Sequence, residues 1–262
     1  MRHWILEETN YGYIKENPIE VALLPTGATE PHNLHMPYGT DNFQVIEMAS
    51  RACEAAYQQG AKVVMLPNLP YGTETNMMEF PFAMNLNPST ILQIFKDLIQ
   101  SLEKSGIKKL LILNGHGGNG FKPAIRELSA QTNIQLFLCD WMKGLLKEKR
   151  SELFEKPGDH ADEVETSLGL AFFSNFIAHD SETGKLTADE GSMAAHRFDA
   201  VEKGYITISR PWHKLTTNSG AGNPHAASAE KGEKLMQFFV DEISSFLVQL
   251  ANSDIDETFP FE

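Results

Sequence analysis

Glu30, His32 and Asp41 are three side chains of metal-ligand type set within twelve positions of one another. They lie just past the apolar run Val21-Ala22-Leu23-Leu24, which is closed by Pro25 and Gly27 and reads as a buried strand. Ligands placed where a strand gives way to a loop sit at the edge of a rigid sheet, where open α/β proteins bind their ligands. Two carboxylates and an imidazole suit a borderline divalent ion such as zinc, manganese or iron(II). A polar loop whose acids and histidines are solvated is the plainer reading of the same residues.

Three further segments carry groups with chemistry. Leu113-Asn114-Gly115-His116-Gly117-Gly118-Asn119-Gly120 leaves an apolar run and leads into a helix-like stretch. Its glycines permit a tight turn and close backbone approach to a ligand or metal. Such turns also cradle phosphate, but this one lacks both the Rossmann spacing and the Walker lysine, and His116 among the glycines favours a metal. Gly158 to Ser167 opens a helix. If it is helical from about Ala161, Asp162 and Glu165 share a face, Glu163 points elsewhere, and His160 sits beside the first turn. The helix macrodipole accounts for the acids there but not for the preceding histidine. Thr216 to His225 is polar and Gly-rich, suited to closing a pocket or to a surface connection. Tyr71, Thr73 and Glu74 follow the second strand-like run and are candidates for the pocket wall.

The remaining histidines and aromatics read more plainly. His3, His179, His196 and His213 fit surface or satisfied core positions, and His35 fits a place behind the ligands. Trp141, Trp212, Phe80 and Phe82 read as packing.

The elements that must position these groups alternate. Asn42 to Gln59 has helical periodicity, Lys62 to Leu66 is a second strand, and Asn87-Pro88 opens a helix that ends near Gly106. Lys109 to Leu113 is a strand apolar enough to be buried on both faces. A helix from about Pro123 to Gln131 and a strand from Ile134 to Cys139 follow. Later come a helix from about Asp162 to Phe173 and a long terminal one, signalled by Asn223-Pro224 and running to about Ala251. This order predicts a three-layer α/β/α fold with a mostly parallel central sheet. The 262 residues read as a single domain spanning 1–262, with no linker or repeat.

The net charge of −13 argues against nucleic acid and against an anionic membrane surface. Cys53 and Cys139 form no disulfide framework, and no run approaches the roughly 18 to 20 apolar residues that span a bilayer. A cytoplasmic protein is expected.

Taken together, Glu30-Pro31-His32, Pro37-Tyr38-Gly39-Thr40-Asp41, Asn114-Gly115-His116-Gly117-Gly118-Asn119 and His160-Ala161 with Glu165-Thr166-Ser167 resemble the creatininase (creatinine amidohydrolase) family. Four motifs in order, across about residues 21 to 170, are far more specific than any one. The resemblance implies two divalent metal ions, zinc foremost with manganese or iron as alternatives. It implies Glu30 and His116 on one ion, His32 on the other and Asp41 bridging them. Creatinine-hydrolysing members carry a further acid two residues after the motif histidine, where this chain has Gly118. The second ion then needs a carboxylate from elsewhere, and Glu165 is the choice. Lys156 also stands where a substrate-covering tryptophan is expected, which counts against creatinine itself.

Three carboxylates and a bridging hydroxide would neutralise two divalent cations, and bound metals make hydroxide available near neutral pH. The expected reaction is hydrolysis of a cyclic or other small amide, with that hydroxide as nucleophile and His160 shuttling the proton. Gly117, Gly118, Asn119, Tyr71 and Glu74 are the expected substrate contacts. The alternatives are hydrolysis of a formamide or a cyclic keto-sugar, or a silent metal-containing binding protein. By the same resemblance the substrate is a small molecule and the chain forms a homo-oligomer, a hexamer.

Overall fold

Strand β1 (Val21–Thr26) is buried at every position, as an apolar run covered on both faces must be. The computed structural model describes residues 1–156 and 158–262. After the short helix α1 (Tyr11–Glu16), β1 leads to α2 (Thr40–Gln58), β2 (Val63–Met65), α3 (Pro88–Lys104), β3 (Lys109–Asn114), α4 (Lys122–Leu128) and β4 (Gln135–Asp140). The four strands are all parallel, in the order β2-β1-β3-β4.

That order explains the layers. The β1 to β2 crossover moves one way along the sheet and the β2 to β3 crossover returns past β1. Right-handed crossovers running in opposite directions place their helices on opposite faces. Accordingly Val21, Leu23, Leu111 and Leu113 pack with α2 and the later helices. Their neighbours Ala22, Leu24, Leu110 and Ile112 pack with α3 and α4, through Ile91, Phe95 and Leu128. The expected three-layer α/β/α architecture is the observed one.

The second half completes the first of these faces. Helices α5 (Leu145–Leu153) and α6 (Glu163–Phe172) precede two single-turn helices, α7 (Asp199–Glu202) and α8 (Trp212–Leu215), and the long α9 (Ala229–Asn252). Leu235, Phe239 and Leu247 of α9 join the core beneath α2 and α6. Asn223-Pro224 does not start that helix. Asn223 caps a 3-10 turn, Pro224–Ala226, and Ser228 is the cap of α9, accepting from the Lys231 amide. A proline after a capping residue suits the first turn of either helix type, so the signal was one turn early. Helix α5 is short and rich in charge, with no strong apolar periodicity to mark it in the sequence, and was not expected.

Two lysines, Lys109 buried and Lys231 partly so, tie α9 down. Lys109, at the start of β3, donates to the Leu250 carbonyl at 2.7 Å and to Ser253, filling the C-terminal end of α9 with positive charge. Lys231 meets the fully buried Glu163 at 2.5 Å, joining α9 to the first turn of α6. Among the described residues no helix is long and apolar enough to cross a membrane.

Candidate metal centre

The strand order reverses between β1 and β3, whose last residues Thr26 and Asn114 are in register. A crevice opens there beyond the carboxyl ends of the strands. Glu30 and His32 follow β1, Asp41 lies in the first turn of α2, and His116 is two residues past β3. His160 and Glu165 arrive from the start of α6. With Glu74, from the loop after β2, all these side chains belong to residues no more than 9% exposed.

Asp41 divides its two oxygens between two histidines. Its Oδ1 is 3.2 Å from His32 Nε2 and its Oδ2 is 3.0 Å from His116 Nδ1. Each imidazole faces a second carboxylate of its own: Glu30 lies 3.0 Å from His116 Nδ1, and Glu165 3.8 Å from His32 Nε2. Three overlapping groups bring one ligand atom per residue within 4.8 Å of one another: Glu30-Glu74-His116, His32-Asp41-Glu165 and Glu30-His32-His160.

Backbone carbonyls set the tautomers. His32 Nδ1 is 3.1 Å from the Glu30 carbonyl, which can only accept, so the proton sits on Nδ1 and Nε2 is free to bind a metal. His160 Nε2 likewise donates to the Pro31 carbonyl at 2.8 Å, turning its Nδ1 toward Glu30 at 3.8 Å.

The donor set fits divalent ions. His32 Nε2, Asp41 Oδ2, His116 Nε2 and both carboxylate oxygens of Glu74 are buried without a hydrogen-bond partner. Orphaned polar atoms of this kind are expensive in a protein interior, and here they converge on one crevice. Burial by itself would push the His32 and His116 imidazoles down. The surrounding carboxylates outweigh it, Asp41 and Glu165 at His32 and Glu30 and Glu74 at His116, and hold both well above the usual range. Burial pushes Glu74 up to about 8, reinforced by the neighbouring Glu30. His160 goes the other way, lowered by burial and by the adjacent His32.

Local backbone geometry holds the second half of the site. Asp162 does not share a working face with Glu165 as expected; it caps α6, accepting from the Val164 and Glu165 amides at 2.9 and 3.1 Å. Ala161 adopts φ 49°, a left-handed conformation unfavourable for a residue with a Cβ. It aims the Ala161 amide at Glu165 Oε2, 2.5 Å away. Glu163 points away from the crevice, to Lys231. The 216–225 segment, suited by sequence to closing a pocket or to a surface connection, braces this one: Ala221 exchanges backbone hydrogen bonds with His160, and Ser219 donates to the Pro31 carbonyl at 2.9 Å.

The cavity over the ligands has a volume of about 110 Å³. Gly117, Gly118 and Glu74 line it as expected substrate contacts, alongside the metal-type ligands. Asn119 does not. It is a cross-brace, accepting from the Thr73 amide and donating to Asn114, both at 3.0 Å. Tyr71 is half-exposed and also lies outside the cavity wall. His35 is buried behind Glu165, 2.8 Å from the Thr166 hydroxyl.

Sequence reasoning missed part of the wall. Trp212, read as packing, does pack against Met77 and Leu215 but also borders the cavity, its ring edge-on to His160 at 5.2 Å. Arg210 stands over Trp212, 5.1 Å from the ring, and donates to Asp159 at 2.5 Å. Asn76 and Met142 complete that side. None of these has a spacing signal, because each lies in a loop or, for Trp212, at the start of a single-turn helix that only the tertiary fold brings to the crevice.

Comparison with known proteins follows the same lines. The creatinine amidohydrolase (creatininase) family profile matches residues 7–247. The 3-dehydro-scyllo-inosose hydrolase of Thermotoga maritima is 26% identical over 260 residues, covering 92% of this chain and 79% of its own. The creatinine amidohydrolase of Pseudomonas putida is 29% identical over 180 residues, 61% of this chain and 67% of its own. Among solved structures, a Bacteroides fragilis protein described as a candidate creatinine amidohydrolase superposes with a TM-score of 0.86 at 32% identity, over 98% of this chain and all of its own. A manganese form of creatininase gives a TM-score of 0.74 at 20% identity, over 95% and 99% of the two chains, which is a likeness of fold. Profile, relatives and fold agree across nearly the whole length, and this chain belongs to the creatininase family.

Proposed function

We propose that this protein is a dinuclear metal-dependent hydrolase of a small cyclic amide or another small C–N amide. The observation that carries the reading is Asp41, whose two oxygens face different histidines, each with a second carboxylate beside it. One ion would be held by Glu30, Asp41 and His116, the other by His32, Asp41 and Glu165. Zinc is the first choice, with manganese or iron as alternatives for the same donors. When bound, such ions supply a water of lowered pKa and polarise a carbonyl oxygen.

The chain's own residues supply the rest. His160 is held by Pro31 with Nδ1 toward the crevice. Burial and His32 keep it neutral. It therefore accepts a proton at Nδ1 and returns it to the leaving nitrogen. Gly117 and Gly118 let substrate approach the backbone, and Trp212 offers an apolar edge. The small cavity restricts the substrate to a small molecule, or to the reactive end of a larger one.

A second reading is hydrolytic opening of a cyclic keto-sugar. It is supported by the Thermotoga maritima inosose hydrolase, which aligns over 92% of this chain, and by the polar wall of Asn76, Asp159 and Arg210. Homo-oligomerisation and a cytoplasmic location belong to the same proposal and rest on family membership.

The test is elemental analysis of metal per chain in wild type and in Glu165→Ala, followed by turnover on panels of small amides and cyclic ketones. About two ions falling to about one in the variant is expected. Two ions in both would remove Glu165 from the ligand set. Two ions with no turnover on either panel would favour a silent binding protein.

A further inference from the structure

Glu74 is the most anomalous carboxylate in the molecule. It comes from the loop after β2, outside every motif that carries the family resemblance. It is 1% exposed, and neither of its oxygens has a hydrogen-bond partner. It lies 2.6 Å from His116 Nε2. That contact is too poorly directed to be a hydrogen bond, since the ring nitrogen is itself unpartnered. Burial beside a second carboxylate holds Glu74 toward the neutral acid, and in such surroundings it can carry its charge only where a cation sits between the two. Glu30, Glu74 and His116 bring ligand atoms within 4.8 Å of one another.

Position 118 accounts for the arrangement. A Cβ on Gly118 would lie 2.3 Å from His116 Nε2 and 3.0 Å from the Thr73 carbonyl oxygen. With His116 turned as it is and the 73–74 loop drawn in, no side chain fits there. The loop that excludes an acid at 118 is the one that delivers Glu74.

We propose that Glu74 is a direct ligand of the ion held by Glu30, Asp41 and His116, supplying from the loop after β2 the acid that position 118 lacks. The inference rests on the two-ion reading above. Four carboxylates (Glu30, Asp41, Glu74 and Glu165) then match two divalent cations, and the resting centre is neutral without a bound anion. This assignment makes Glu74 part of the metal set rather than a substrate contact.

The experiment is a zinc titration of metal-free wild type, Glu74→Gln and Glu165→Ala by calorimetry, with melting temperatures before and after loading. The expected result is two ions in wild type, and in Glu74→Gln one ion retained while the other is weakened at least about 100-fold, the upper end for an outer partner of a metal ligand. Metal-free Glu74→Gln should melt no lower than wild type, because glutamine replaces a buried acid already held toward its neutral form, yet gain less from zinc. Glu74→Gln holding both ions within about threefold of wild type overturns the assignment. If wild type itself holds one ion, the two-ion reading fails, and Glu74 is judged separately by whether its variant loses that ion. Should Glu74→Gln not fold, a metal-loaded wild-type crystal structure decides: a Glu74 oxygen about 2.0–2.2 Å from an ion supports the role, and one beyond about 3 Å removes it.

Discussion

Gly118→Ala is the smallest change that tests the geometry of the centre. Gly118 is not in the left-handed region, so alanine meets no backbone penalty there. The cost is steric. The new Cβ would sit 2.3 Å from His116 Nε2 and 3.1 Å from its Cε1. An ordinary carbon–nitrogen contact is about 3.5 Å, so the imidazole must retreat by about 1 Å. The loop side offers no relief, because the Thr73 carbonyl is already at 3.0 Å. Metal–nitrogen bonds are about 2.0–2.1 Å long, so a shift of this size breaks the bond rather than stretching it. Overpacking of this kind costs about 1–3 kcal/mol of stability. The expected readout is a modest fall in the urea midpoint of metal-free protein together with at least a tenfold loss of affinity for one ion. Calorimetric titration with zinc, beside equilibrium unfolding, measures both. Gly118→Ala binding two ions with wild-type affinity would refute the reasoning, since it would show that His116 can move without consequence or is not a ligand.

Three further outcomes follow from the geometry. His160→Asn should leave two ions per chain and lower turnover about 10²- to 10⁴-fold, the range for a lost proton-transfer group; loss of metal in parallel would assign His160 to ligation instead. His35 is lowered from 6.5 to about 4, by burial first and then by the charge of His32. Its stabilising contribution is therefore complete above pH 6.5 and is lost as pH falls toward 4, at about 1.4 kcal/mol per pH unit and up to about 3 kcal/mol in all. His35→Gln should flatten the pH dependence of urea stability across that window, and an unchanged slope would remove His35 as the titrating group. Lys231→Met leaves the buried Glu163 carboxylate with only the Glu155 and Lys156 amides at 3.2 and 2.5 Å. Since Lys231 is itself partly solvated, the cost should be about 2 kcal/mol, below the 3–5 typical of a fully buried pair. No change on unfolding would mean the amides alone satisfy the charge.

The layers and most of the candidate ligands were legible because both follow from local pattern. Continuous apolar runs at Val21–Leu24 and Lys109–Leu113 can only be strands covered on both faces, and groups just past such strands fall in the crevice of a parallel sheet. Glu30, His32, Asp41 and His116 were found that way. Glu165 came from a helix start preceded by a histidine, and its pairing with His32 depended on α6 packing beside α2. The residues that escaped notice lack this logic. Trp212 reads as a core aromatic because it is one, and its second face is visible only once His160 is beside it. Arg210 and Asp159 lie in segments without periodicity. Glu74 was placed on the pocket wall, but nothing in the order of residues reveals that both of its oxygens are left without donors. The late start of α9 has a similar cause: a capped proline turn looks the same whether it continues as an α-helix or stops after one turn.

The braces around His160 have a consequence for how the molecule is assembled. Glu30, Asp41, Glu74 and His116 all lie within the segment that builds the four-stranded sheet, and that segment is complete at Asp140. His160 and Glu165 come afterwards. They are held through Pro31, Ser219 and Ala221, partners up to 188 positions apart in sequence. Contacts that close such long loops form after local ones. During synthesis, which delivers the chain from its N-terminus, the half of the centre around His116 matures on a finished sheet while the half around His32 waits for the last third of the polypeptide. If the centre holds two ions as proposed, the order in which they can be captured is thus written into the order of the chain.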